Sequence, residues 1–181
     1  AIMNRDNETG ISIMRIVPKL DAGPVLLKSV IGITKETNYE ELSDQMSKLG
    51  AKLILEALEL IEKKEAKFIP QNEKDATYAK KIEKVESKIN WNLDAKSIIG
   101  KINALHPNPG SWFELKGSRI KVIKATEVDK KGPPGEIINK NFTIACAQNS
   151  IQILELKKEG KNKTMASDFL KGNQLEVGTN I

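Results

Sequence analysis

The sequence predicts an α/β segment followed by a mainly β domain built as a small closed or partly open barrel, and three observations lead there. Two short β-branched runs, at 11–17 and 25–33, flank a turn marked by proline and glycine. An apolar stripe of helical period follows them. From residue 111 onward, short apolar runs alternate with turn signals at close spacing, as small β-domains require. The 181 residues suit one domain or two small ones, since domains commonly run about 100–150 residues. We divide the chain into 1–66, a basic linker at 67–88, and a C-terminal domain at 89–181.

In the first stretch, Ile11, Ile13, Ile16 and Val17 read as one strand and 25–33 as a second. Pro18 and the pair Gly23-Pro24 stop regular structure on either side of Asp21. Asp21 is the one candidate catalytic residue. A carboxylate on a turn at the ends of two strands can face a cleft, or it can simply cap the turn through its own side chain. Thr37 and Glu40 form a capping-box pattern, so a helix is expected from about residue 38 to Lys63-Lys64, broken or bent at Gly50. Tyr39, Leu42, Met46, Leu49 and Leu53 make one core-facing stripe, and Ile54, Ala57, Leu58 and Ile61 carry it onward.

Periodicity is lost from Lys67 to Lys88, where Pro70 and a polar run mark a linker. Its second half carries Lys80, Lys81, Lys84 and Lys88 with one aromatic, Tyr78. Asp94 is a good N-cap for a helix through Leu105, with Ile98, Ile99, Ile102 and Leu105 on its buried face. The sequence from His106 to Gly110, with prolines at 107 and 109, should end that helix sharply. His106 is the chain's only histidine, and its position favours packing or a role at the helix C-terminus. Strands are expected at 111–115, 119–128, 136–138, 142–147 and 150–156, with a last helix near 166–170.

Composition narrows the function classes. With 39% hydrophobic and 29% charged residues, and no run near the roughly 18 apolar residues a membrane helix needs, no membrane partner is expected. The single cysteine, Cys146, lies in an apolar run and reads as a small buried hydrophobe; a reducing, cytosolic location is expected. No Cys/His cluster has metal-ligand spacing and no glycine-rich phosphate loop appears, so no metal is expected. Charge is unevenly placed. Residues 1–66 carry 9 basic and 11 acidic side chains, a balance of −2, and residues 67–181 carry 20 and 13, a balance of +7. Such asymmetry suits either a polyanion-binding segment or a lysine-rich solvated surface. Aromatics are scarce around the predicted barrel (Trp112, Phe113, Phe142), which favours a grip on a nucleic-acid backbone through lysines such as Lys121, Lys124, Lys157 and Lys158 over base stacking.

Thr9-Gly10-Ile11-Ser12-Ile13-Met14 followed by Leu20-Asp21-Ala22-Gly23-Pro24 resembles the end of the catalytic domain of the methionyl-tRNA formyltransferases. The Asp-x-Gly-Pro turn is shared with folate-dependent formyltransferases at large; Ile13-Met14 tilts the likeness toward the tRNA enzymes. Ile89-Asn90-Trp91 and the run from Pro107 to Trp112 resemble the second domain of those enzymes. The resemblance implies the end of a Rossmann-like catalytic domain, a basic linker and an OB-like barrel that binds tRNA. It implies formyl transfer from 10-formyltetrahydrofolate to the amine of methionyl-initiator-tRNA, with Asp21 relaying protons and Lys80, Lys81 and Lys84 touching the tRNA, to which the basic barrel face adds Lys121 as a tRNA-binding candidate. It also implies an Asn-x-His motif upstream of everything in this chain, so the chain is expected to be a truncated, monomeric and, alone, inactive piece. A sugar-nucleotide formyltransferase and a stand-alone RNA-binding module starting at Met3 remain alternatives, the first disfavoured by the +7 of residues 67–181.

Overall fold

The computed structural model describes residues 1–181. Their contacts divide into two compact units, one made of residues 6–34 and 40–81 with Ala1, the other of residues 2–5, 35–39 and 82–181.

In the first unit, β1 (Glu8–Met14) pairs antiparallel with β2 (Val25–Gly32), in register from Glu8 opposite Gly32 to Ile13 opposite Leu27. The register slips between Ile13 and Met14, at the entrance to the turn. This pair is the unit's whole sheet. The Rossmann-like end is therefore corrected: that arrangement needs parallel strands joined by crossover helices, and the pairing here is antiparallel.

Helix α1 (Tyr39–Glu62) runs unbroken for 24 residues, so the expected interruption at Gly50 does not occur. An interior glycine costs a helix only about 1 kcal/mol against alanine. Gly50 also lies beside Ile11 of β1, whose Cδ1 sits 3.5 Å from where a Cβ would be. Leu42, Leu53 and Ala57 are buried. The onward stripe is not: Ile54, Leu58 and Ile61 are 44%, 53% and 49% exposed, and of that set Ala57 alone is covered. Helix length and apolar period do not by themselves supply a partner surface.

The second unit is organised on a six-stranded antiparallel sheet with helix α2 (Ala95–Leu105). Asp94 caps α2: its carboxylate accepts the Ser97 N–H at 2.9 Å and the Ser97 hydroxyl at 2.7 Å. Those two bonds hold its pKa below the usual value. His106 closes the helix. The strands are β3 (Ser111–Leu115), β4 (Ser118–Val128), β5 (Ile137–Asn139), β6 (Thr143–Ala145), β7 (Ser150–Lys158) and β8 (Lys163–Met165), and α3 (Ala166–Gly172) follows. β8 escaped the sequence reading, being three residues beside a turn.

The strand order is β3-β4-β7-β6-β5, with β8 also on β7. β4 covers one edge of β7 from Lys158 to Ser150, while β6 and β8 share the other edge at its two ends. β3 and β5 do not pair, so the sheet stays open and the expected OB-like barrel is absent. Their outer edges are covered otherwise. Ile89 donates its N–H to the Trp112 carbonyl on β3, and residues 178–180 exchange backbone hydrogen bonds and a bridge with Glu136 and Ile137 at β5. One face of the sheet carries the core, where Ile98, Ile99 and Ile102 of α2 join Phe113, Ile120, Val122, Ile144, Ile151, Ile153 and Leu156. Phe113 lies edge-on to both Trp91 and Phe142, and Phe142 stacks on Phe169 of α3. Closing a barrel would fold this sheet around its own side chains; here two helices fill that space instead.

Candidate functional site

Asp21 sits in the turn between β1 and β2 with φ at +52°, in the left-handed region that Asp and Asn enter more readily than other non-glycine residues. It is exposed, and its carboxylate takes part in no ion pair or hydrogen bond within the chain. Two turn residues later, Gly23 faces the Arg15 carbonyl so closely that an added Cβ would lie 1.7 Å from its oxygen. Glycine is required there. The Arg15 N–H in turn donates to the Pro24 carbonyl at 3.0 Å, closing the neck of the turn.

The segment after α1, read from sequence as the start of a linker, runs beside this turn. Ile69 exchanges two backbone hydrogen bonds with Val25, at 2.8 and 2.9 Å. Phe68 lies under the Arg15 guanidinium, 4.2 Å from ring centroid to Cζ. Gln71 donates from Nε2 to the carbonyls of Asp21 and Gly23, both at 2.8 Å. Glu73 pairs with Lys19 at 2.7 Å. Nothing local in the sequence marks Gln71, which stands among other polar residues.

The predicted basic residues fall in different settings. Lys80 and Lys81 end the first unit and Lys84 lies in the second; all three are exposed and without an ion pair. Lys121 is half-buried, packs its stem on Gly110 and reaches the Pro107 carbonyl at 3.4 Å. Its cross-strand neighbours are informative. Trp112 of β3, Lys121 of β4, Lys157 of β7 and Lys163 of β8 stand in one row across four strands. Because the flanking Ile120, Val122 and Leu156 are buried, this row occupies the face away from the core. Lys124 stands opposite Glu155 instead, and Lys158 stands opposite the buried Ile120, beside a small cavity lined by Leu115 and Phe169. Lys163 belongs to the strand the sequence did not reveal. Trp112 is already engaged: its indole N–H donates to Ser87 Oγ at 3.0 Å, and the Arg119 guanidinium lies 3.9 Å over its ring. A ring face covered by a cation offers little room for a stacked base.

Cys146 is buried, and burial pushes its thiol up to about 11, so at neutral pH it is protonated and a poor nucleophile. No helix is long and apolar enough to cross a membrane.

Residues 81–174, 94 of the 181, match the family described as formyl transferase, C-terminal domain. The chain belongs to the formyltransferase family. Its curated relatives include a methionyl-tRNA formyltransferase of Pelagibacter ubique, 43% identical over 182 residues, an alignment covering 100% of this chain and 59% of the relative. A methionyl-tRNA formyltransferase of Bradyrhizobium diazoefficiens is 36% identical over 182 residues, covering 98% of this chain and 58% of the relative. The chain thus spans about three fifths of the length of these curated relatives. Among solved structures, HypX from Aquifex aeolicus in complex with tetrahydrofolic acid superposes with a TM-score of 0.67 over 99% of this chain and 35% of that one. At 21% identity this shows a shared fold. In this formyltransferase chain the family match takes in Lys81, Lys84 and the lysine row, and the Asp21 turn lies within the alignment to the Pelagibacter relative.

Proposed function

We propose that the protein carrying this chain transfers a formyl group from 10-formyltetrahydrofolate to the amine of methionyl-initiator-tRNA. The observation that carries the reading is the Asp21 turn: an unpaired, solvent-facing carboxylate on a braced turn, in a chain aligned along its length with methionyl-tRNA formyltransferases. When the amine attacks the formyl carbon, a C–N bond forms, the nitrogen acquires positive charge and the carbonyl oxygen negative charge. Collapse of that adduct breaks the bond to N10 of the folate, which leaves as an amine and needs a proton. Asp21 accepts the proton lost by the attacking amine, directly or through water, and returns it toward the leaving nitrogen. Both folate and tRNA are substrates in this scheme, and no metal is used.

In this reading residues 1–66 belong to the catalytic part, the basic linker of 67–88 begins as the segment that braces the Asp21 turn, and 89–181 form the tRNA-binding part. Lys80, Lys81, Lys84 and Lys121 meet phosphates, and Lys157 and Lys163 extend the grip of Lys121 across the sheet. The engaged ring of Trp112 supports a grip on the backbone over one on the bases. The test uses the protein from its full reading frame, with 10-formyltetrahydrofolate and methionyl-initiator-tRNA. Formylmethionine released after deacylation is expected. Its absence, with a nucleotide-linked amino sugar formylated in its place, overturns the acceptor assignment.

A further inference from the structure

We infer that Gln71 is the positioning residue of the Asp21 turn, an inference that rests on the catalytic reading of Asp21. Beyond the neck bond from Arg15 to Pro24, the tip of the turn is poorly held by its own backbone. Its one bond there, from the Ala22 N–H to the Lys19 carbonyl, is 3.5 Å long. The carbonyls of Asp21 and Gly23 receive no backbone N–H. Both instead accept from Gln71 Nε2 at 2.8 Å, which uses the two hydrogens of one carboxamide. Asp21 itself holds φ at +52°, which aspartate tolerates better than most residues but which is held in place most firmly where its surroundings fix the backbone. Fixing the carbonyl of Asp21 and the carbonyl two residues on fixes the peptide planes between them. The direction in which the Asp21 side chain leaves the backbone is thereby set.

The placement of Gln71 is itself enforced. Ile69, two residues before it, is locked to Val25 by a pair of backbone bonds, and Glu73, two residues after it, is tied to Lys19 at 2.7 Å. The segment 69–73 is a brace whose alternate residues face the turn, and Gln71 is its middle contact. Neither of its nearest relatives in shape takes that place unchanged. Glutamate keeps the shape but, ionised, offers no donor and sets its oxygens against two carbonyls; asparagine is one methylene short.

In the full-length enzyme, Gln71→Ala and Gln71→Glu are compared with Asp21→Asn and with the double variant Asp21→Asn/Gln71→Ala, measuring kcat, KM for tRNA, melting temperature and the NMR shifts of the Asp21 amide and carboxyl. We expect kcat to fall about ten- to a hundredfold in both Gln71 variants, the scale set by displacing a catalytic group by about 1 Å, with KM for tRNA and melting temperature near the parent's. The Asp21 shifts should move in both. The double variant should be no slower than Asp21→Asn alone, because Gln71 acts through Asp21. Losses that multiply in the double variant, unmoved Asp21 shifts, or a raised KM with kcat intact would overturn the inference. Full activity in Asp21→Asn would instead bring down the catalytic reading of Asp21, with the NMR shifts still reporting whether Gln71 sets the turn. Should Gln71→Ala not fold, Gln71→Glu and Gln71→Asn carry the same comparison.

Discussion

Lys121 on β4 stands directly opposite Lys157 on β7, and neither forms an ion pair. Lys163 on β8 continues the row on the far side of Lys157. Like charges directly opposite on a sheet are destabilising, by an amount on the order of 0.2–1 kcal/mol. Lys157→Gln is therefore expected to leave thermal stability unchanged or slightly raised while weakening tRNA binding. Calorimetry and filter binding on the same preparation check both. A variant that melts lower, or binds tRNA as the parent does, shows that this row is an ordinary solvated surface.

Asp21 should matter to rate and little to folding. Asp21→Asn keeps the shape and the tolerance for a left-handed backbone while removing the charge. Losing a positioned proton-transfer group costs about a hundredfold to ten-thousandfold, roughly 3–5 kcal/mol of barrier. Single-turnover formylation with the full-length enzyme measures it. Activity within about threefold of the parent would leave Asp21 as a turn former.

The exposed lysines at 80, 81 and 84 should reveal themselves through salt. Each phosphate contact adds a little under one unit to the log-log salt slope, so a grip of three to five contacts gives a slope of about −2 to −4. Replacing all three lysines by alanine should shallow it measurably. An unchanged slope assigns them to solvent.

Asp94 makes stability depend on pH in a direction that can be stated. Its two bonds from Ser97 hold its folded pKa below the ordinary 3.8. The cap's contribution is therefore complete above that value and is lost as pH falls through the lower, folded one. At about pH 7, Asp94→Ala should lose about 1 kcal/mol, a gap that narrows in acid as the parent's own cap protonates. Urea titrations at neutral pH and near pH 2 measure the gap. If it is constant, the cap acts through something other than its charge.

Local signals were the legible ones. β-branched runs placed β1, β2, β4 and β7, an apolar run between turn signals placed β3, and Asp94 marked the start of α2, because strand patterning and capping are written within a few residues. Barrel closure was not legible, since it depends on whether β3 meets β5, and those strands lie far apart in sequence with edges covered by Ile89 and by residues 178–180. Gln71 was invisible for the same reason, its bonds spanning 50 and 48 residues. The lysines could be named but not sorted. Lys157 and Lys158 are neighbours in the chain, yet strand alternation puts one on the outer face and the other opposite Ile120.

β7 is flanked by β4 along one edge, while β6 holds the other edge at Ser150–Gln152 and β8 holds it at Glu155–Lys157, so opening either of those stretches disturbs two partners. Fluctuations that release β8 or the residues after α3 leave its pairing with β4 intact. Ile153 is fully buried and donates its amide to the Phe142 carbonyl at 3.0 Å, so that amide should exchange with deuterium only through global unfolding, and its exchange rate would read out the stability of the whole C-terminal unit.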